Sequence, residues 1–282
     1  MSNLFSGLFE QRCSHRHTIS SHPHCFNPDG TVKTNDRMSS TKVLILDVET
    51  LPILGYSWGV WNQNIYPNQV VKDWCILSYS AKWLGDDRII SDVLTPKEAE
   101  LRDDKRIVTA FWNLLNSASV TVSHNGKRFD LRKVNARFWK NGLHRPASYK
   151  IIDTLTSARS IFGLTYNKLD FIAKFIGADE KIETNFELWR GCDLGDKESL
   201  KQMKEYNEQD VFTLEEIYMR MREWIPNHPD LGVYQNLSGV CPVCLCDKFS
   251  VIGTYVTKKK QFNEYRCSQC SSIWHETNNK VK

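Results

Sequence analysis

The sequence lacks any apolar run long enough to cross a bilayer. Its longest unbroken aliphatic stretch near the start is Val43 to Leu46, whereas a spanning helix needs about 20 apolar residues. An apolar block ahead of a cleavage site is also missing, so a soluble, intracellular (cytoplasmic) protein without a membrane partner is expected. Acidic residues are scarce in one region: residues 233 to 282 hold three Asp/Glu against seven Lys/Arg, which accounts for the entire formal charge of +4. That imbalance fits either a grip on a polyanion or a solvated basic tail. Disulfide scaffolding is the poorer reading of the nine cysteines. Four of them form two C-x-x-C pairs, Cys241/Cys244 and Cys267/Cys270, the spacing of metal ligands in a reducing compartment. Cys75 and Cys192 sit in ordinary or apolar contexts and read as packing residues.

With 282 residues, 41% of them apolar, the chain can build one main domain and something small beside it. Residues 1–40 show no hydrophobic periodicity and read as an extension. Strand-like segments follow at 42–47, 56–61, 74–83 and 88–94, separated by turn formers. Thr95-Pro96 then caps a helical stretch toward Asn116, and a strand at 120–123, a helix at 127–140 and a short strand at Ile151-Ile152 come next. Helices are expected at 168–176 and from Asp196 to Ile225, where Pro226 stops the last one. Antiparallel strands followed by β-α-β-α imply a mixed, helix-flanked sheet. The organisation predicted is an extension (1–40), a main domain (41–225), a linker (226–239) and a cysteine module (240–282).

Residues 42–50 read KVLILDVET. The apolar run ends in Asp47 and Glu49, two apart and therefore on one side of the strand. Like charges aimed at one place call for a cation between them, and oxygen ligands suit Mg²⁺ or Mn²⁺. In the last helix Leu200, Met203, Asn207, Leu214, Ile217 and Met221 form a stripe with Asp210 at its centre, and Tyr206 lies one turn before Asp210. A carboxylate in a core stripe needs a partner, and an ion shared with Asp47 is the economical one. In VTVSHNGKRFD (120–130) an Asn-Gly turn aims Asp130 back at the strand ends, where open α/β sheets bind ligands.

Together LDVET, HNGKRFD and YNEQD resemble the three motifs of the DEDDy 3′→5′ exonucleases, closest to the exonuclease domains of family-B DNA polymerases. The resemblance covers about residues 42–225 and implies an α/β, RNase H-like fold. It implies further that Asp47, Glu49, Asp130 and Asp210 hold two divalent ions, while Tyr206 orients the attacking water. It also implies that Thr50 and Leu51 touch the terminal nucleotide and that Asn125 and Phe129 hold the strand end. In the helix after the turn, Lys127, Arg128, Arg132, Lys133, Arg137 and Lys140 could steer a phosphate backbone, Arg128 among those nearest the ions; an ordinary solvated face is the alternative.

Cys241-Pro-Val-Cys244 and Cys267-Ser-Gln-Cys270 flank two strand-like runs, Phe249–Val256 and Phe262–Arg266, the pattern of a zinc ribbon holding one structural Zn²⁺. Leu245 stands where glycine is common in such knuckles, and Cys246 is an alternative ligand. Lys258, Lys259 and Lys260 fall at the hairpin tip beside Tyr255, Phe262, Tyr265 and Trp274, which could stack on bases or simply cover the small sheet. Cys13, His17, His22 and Cys25, in a segment rich in both residue types, offer a possible second zinc site against the rival of a non-specific extension. The leading function is a stand-alone exonuclease on single-stranded DNA. Its rivals are an exoribonuclease, a structure-selective endonuclease and a non-catalytic nucleic-acid adaptor.

Overall fold

The computed structural model describes residues 42–178 and 184–275. The N-terminal zinc expectation at Cys13, His17, His22 and Cys25 lies outside the described residues. Strand β1 (Val43–Leu51) takes the centre of a five-stranded sheet because both its edges are paired, antiparallel to β4 (Cys75–Trp83) and parallel to β6 (Val120–Ser123). β5 (Ile89–Val93) extends the antiparallel side and β7 (Lys150–Asp153) the parallel side, giving the order β5-β4-β1-β6-β7. Leu44, Leu46 and Val48 enter one core cluster and Val43 and Ile45 the other, as an uninterrupted apolar strand must when both faces are covered. The mixed, helix-flanked sheet expected from the sequence is the one found.

Segment 56–61 is not a strand. These residues join none of the sheets, and Trp58 stands 97% exposed. Only Leu54–Gly55 (β2) and Val70–Lys72 (β3) pair, at the base of the loop. The helix predicted from Pro96 is also divided, into α1 (Pro96–Leu101) and α2 (Lys105–Ser117), at Arg102 with φ 54°. Its guanidinium turns inward to donate to the carbonyls of Pro52 (2.6 Å) and Asp73 (3.0 Å). The Asp104 carboxylate turns inward as well and accepts from the Ile76 amide at 2.9 Å. Chain reversal there satisfies buried polar groups that a continuous helix would leave outside.

The remaining helices are α3 (Asp130–Lys140), α4 (Thr154–Ile161), α5 (Leu169–Phe175), α6 (Phe186–Asp193) and α7 (Lys197–Met221). α4 and α6 are too short to show a periodicity in the sequence, and both depend on caps. The Asp153 and Asn185 side chains accept from the amides of Thr156 and Glu187. Among the described residues no helix is long and apolar enough to cross a membrane.

α7 covers the face of the sheet on which β4 presents Ser78, Ser80 and Lys82, all fully buried. The two serines leave room for the helix to approach, and Lys82 meets Glu215 of α7 at 2.6 and 2.8 Å. The last turns of α7 also share a core with the cysteine module: Ile217, Tyr218 and Met221 cluster with Val243 and Leu245. Between them the Leu231 amide donates to the Pro242 carbonyl at 2.7 Å. The His228 Nδ1 donates to the Pro229 carbonyl (2.8 Å), which fixes Nε2 as the acceptor for the Tyr218 hydroxyl at 2.8 Å. The module itself is a sheet ordered β10 (Ile273–His275), β9 (Gln261–Cys267), β8 (Phe249–Val256). Its aromatic residues pack on one another, with Tyr255 stacked on His275 at 4.3 Å and Phe249 edge-on to Trp274 at 5.2 Å.

Two stability predictions follow from these contacts. Lys82→Met leaves Glu215 charged and buried without its partner, so a loss of about 3–5 kcal/mol is expected; adding Glu215→Leu should restore most of it in urea unfolding. Burial lowers the pKa of His228 from 6.5 to about 4, so its contribution is complete above pH 6.5 and fades as pH falls toward 4. At pH 5 about 2 kcal/mol should be gone. A His228→Gln variant that lost as much stability between pH 7.5 and 5 as the parent protein would refute this assignment.

Candidate active site

β1 delivers Asp47 and Glu49 to the face beneath α7, and α7 delivers Asp210; ligand oxygens from all three lie within 4.8 Å of one another. A β-bulge sits directly beyond them. Glu49 pairs with Ser78 but Thr50 pairs with Ile76, so β4 carries one extra residue there. Leu51, two residues beyond Glu49, is fully buried in the core cluster that also holds Cys75 and Cys192. This corrects the expectation that Leu51 touches a terminal nucleotide; the partly buried Thr50 is left as the position that can.

One residue of the site was read only as a member of a core stripe. Asn207 is fully buried; its carboxamide donates to Asp47 Oδ2 at 2.6 Å and accepts from the Ser78 hydroxyl at 3.2 Å. It fixes one carboxylate orientation on β1 from α7. The visible signal was a second polar residue three positions before Asp210 in an otherwise apolar stripe. Tyr206 lies in the same helix with its hydroxyl hydrogen-bonded to Asp210 and its ring edge-on to Trp189 at 6.1 Å. Burial, with the charges of Asp210, Glu49 and Asp47, drives its pKa far upward. The phenol therefore stays protonated and serves as a hydrogen-bonding group, not a base.

Asp130 is brought beside this group but is not one of the three converging carboxylates. It is buried and accepts from the Val48 amide at 3.1 Å, between the two acids of β1. Burial and the neighbouring charge of Asp153 push its pKa up to about 7, against the opposing effect of backbone hydrogen bonds. A cation close by would favour the ionised form. The turn before it is tightly specified: Asn125 has φ 70°, and a Cβ on Gly126 would lie 1.9 Å from Ser123 Oγ. Asp153, unrecognised in the sequence, holds this turn by accepting from the amides of Asn125 (3.1 Å) and Lys127 (3.2 Å). The Nε2 of His124 donates to the Asn167 carbonyl at 3.0 Å, so this histidine anchors the loop. Phe129 remains partly exposed at the turn, and Arg128 beside it is exposed.

The basic helix does not behave as one surface. Arg137 is buried and donates to Asp104 at 2.7 Å, and Lys133 lies 3.8 Å over the Trp74 ring. Arg137 therefore cannot contact phosphate, because its charge is neutralised in the interior. Lys127, Arg128, Arg132 and Lys140 are exposed.

In the second cluster the thiols of Cys241, Cys244, Cys267 and Cys270 converge within 4.8 Å of one another. Cys241 and Cys270 are 3.6 Å apart and Cys244 and Cys267 3.5 Å apart. Four thiolates bound to one Zn²⁺ at about 2.3 Å would stand about 3.8 Å from each other, so the set fits a tetrahedral ion. Cys246 is outside it and accepts from the Lys248 amide at 3.4 Å. Leu245 takes the left-handed conformation (φ 64°) expected of glycine, and its side chain is fully buried. Cys75 and Cys192 are buried with pKa values raised to about 12 by desolvation, as inert packing thiols should be.

No curated protein matches the sequence. Among solved structures, the family B DNA polymerase from the hyperthermophilic archaeon Pyrobaculum calidifontis is similar over 70% of this chain, with a TM-score of 0.48 and 16% identity. That similarity takes in 27% of the polymerase chain. The RNase_H_2 family model, described as RNase_H superfamily, matches residues 81–222. The match begins downstream of Asp47 and Glu49, takes in Asp130, Tyr206 and Asp210, and extends over half of the sequence. On that match, the chain belongs to the RNase H superfamily.

Proposed function

We propose that the protein is a divalent-metal-dependent 3′→5′ exonuclease acting on single-stranded DNA. Superfamily membership supports a nuclease. The single observation that carries the finer reading is the convergence of Asp47, Glu49 and Asp210 with Tyr206 hydrogen-bonded at their edge. Asp47, Glu49 and Asp210, with Asp130 alongside, would hold Mg²⁺ or Mn²⁺, whose hard-cation preference the oxygen set matches. Divalent ions bound there would supply Lewis-acid stabilisation of charge on the phosphate and the departing 3′-oxygen. Asn207 holds Asp47 in one orientation, and the protonated Tyr206 can position a water by hydrogen bonding. The motif resemblance assigns contacts with the strand end to Thr50, Asn125 and Phe129, and the exposed Arg128 is available beside them. The motif resemblance to family-B exonuclease domains favours DNA; an exoribonuclease shares the same chemistry and differs only in contacts to the 2′-hydroxyl. In the same reading residues 41–225 form the catalytic unit, 226–239 the connection and 240–282 a ribbon holding one Zn²⁺.

With 3′- and 5′-labelled DNA and RNA strands in Mg²⁺ or Mn²⁺, Asp47→Ala and Tyr206→Phe should each lose most of the activity, about 100-fold or more. Undiminished cleavage by Asp47→Ala would falsify the metal assignment, and preferential RNA degradation would transfer the reading to RNA. Asn207→Ala should raise the Mn²⁺ concentration for half-maximal activity by about 10-fold or more, since removing a group that orients a ligand typically costs that much affinity. The purified protein should contain zinc, of which Cys244→Ser should lose one equivalent and Cys246→Ser none, as read by elemental analysis.

A further inference from the structure

The exposed cations of α3 do not point outward at random. Lys127 and Arg132 line one groove of about 500 Å³, and Arg145 faces them from the loop that follows α3. No carboxylate lines this groove, and none of the three cations forms an ion pair with a carboxylate among the described residues. Its floor is apolar, built from Leu131, Tyr149 and Ile151. At its far end Trp139 is 87% exposed. Its near end is the turn that leads to Asp130: Lys127 sits in the turn held by Asp153, three residues before Asp130, whose carboxylate accepts from the β1 amide between Asp47 and Glu49. Residues 131, 135 and 139 recur every fourth position, so beyond the turn that holds Lys127 the groove follows one face of α3.

We propose that this groove seats the single-stranded nucleic acid on the 5′ side of the end held at the carboxylates, with the backbone along Lys127, Arg132 and Arg145 and a base stacked on Trp139. The proposal rests on the nuclease reading for its direction. Three unpaired cations set along a path that starts at the reacting end match a polyanionic chain, and an exposed indole offers a π-face that any base can use. An acidic protein segment is the other class of occupant that such a lining could attract, but it would have no reason to begin at the Asp130 turn.

Binding and hydrolysis are measured separately so that the two readings can fail separately. Using full-length Asp47→Ala protein without added divalent ions, the affinity for a fluorescent oligo(dT) of about 20 nucleotides is followed by anisotropy between about 50 and 200 mM salt. Adding Arg132→Ala/Arg145→Ala should lower the slope of log K against log salt by about 1.4, because each lost single-strand phosphate contact removes about 0.7. Affinity at low salt should fall about tenfold. Arg132→Lys/Arg145→Lys should keep the slope, and Trp139→Ala should weaken binding without changing it. An unchanged slope in the double alanine variant overturns the proposal, as does an equal drop from Lys197→Ala/Lys201→Ala on the exposed start of α7. Loss of binding to an acidic aromatic peptide, with oligonucleotide binding intact, would overturn it in favour of protein docking. If the unsubstituted protein cleaves nothing while the slope still depends on Arg132 and Arg145, the groove stands and the nuclease reading falls.

Discussion

Mutual repulsion among Asp47, Glu49 and Asp210 is the constraint around which the catalytic half of the molecule is arranged. Their oxygens are held within 4.8 Å in a partly buried setting, an arrangement that isolated side chains would relax by moving apart. They cannot do so because the backbones carrying them are fixed independently. β1 is hydrogen-bonded along both edges. α7 is tied to β4 through the Lys82–Glu215 pair and through Asn207, which bridges to both Asp47 and Ser78. A divalent cation seated among the three carboxylates would relieve that repulsion.

The side chains beneath α7 follow from the same requirement. Large aliphatic residues at Ser78 and Ser80 would lift the helix and carry Asp210 away from Asp47. Small hydroxyls permit the close approach, and the charge of Lys82 is tolerated only because Glu215 meets it in the interior. On β1 the acidic positions end at Glu49, and Leu51, two residues on, is packed in the core. Chemistry and core thus alternate along one nine-residue strand without either intruding on the other.

Much of this was legible in the sequence, and the reasons are physical. Asp47 and Glu49 ended an apolar run, and Asp210 interrupted an apolar stripe; each was conspicuous because a charge occupied a place where burial is costly. The paired C-x-x-C spacing was equally plain, since few other constraints produce it. What escaped notice depends on partners distant along the chain. Asn207, Asp153 and Lys82 are unremarkable until Asp47, the Asn125 turn and Glu215 are brought to them. The inward turn of Arg137 was hidden for the same reason, because only the folded chain places Asp104 beside it. At 56–61 the local pattern suggested a strand, but a strand also needs a ladder partner, and these residues join none of the sheets. The burial of Leu51 was hidden likewise, because the residues that enclose it, Cys75 among them, come from elsewhere in the chain.

α7 is an unbroken helix of 25 residues, about 37 Å long. Its middle turns carry the tyrosine and carboxylate of the acidic cluster, and its final turns lie under the knuckles of the thiol cluster. One continuous element therefore joins the two clusters, and the packing that seats its C-terminal turns also contributes to fixing the helix that presents Asp210.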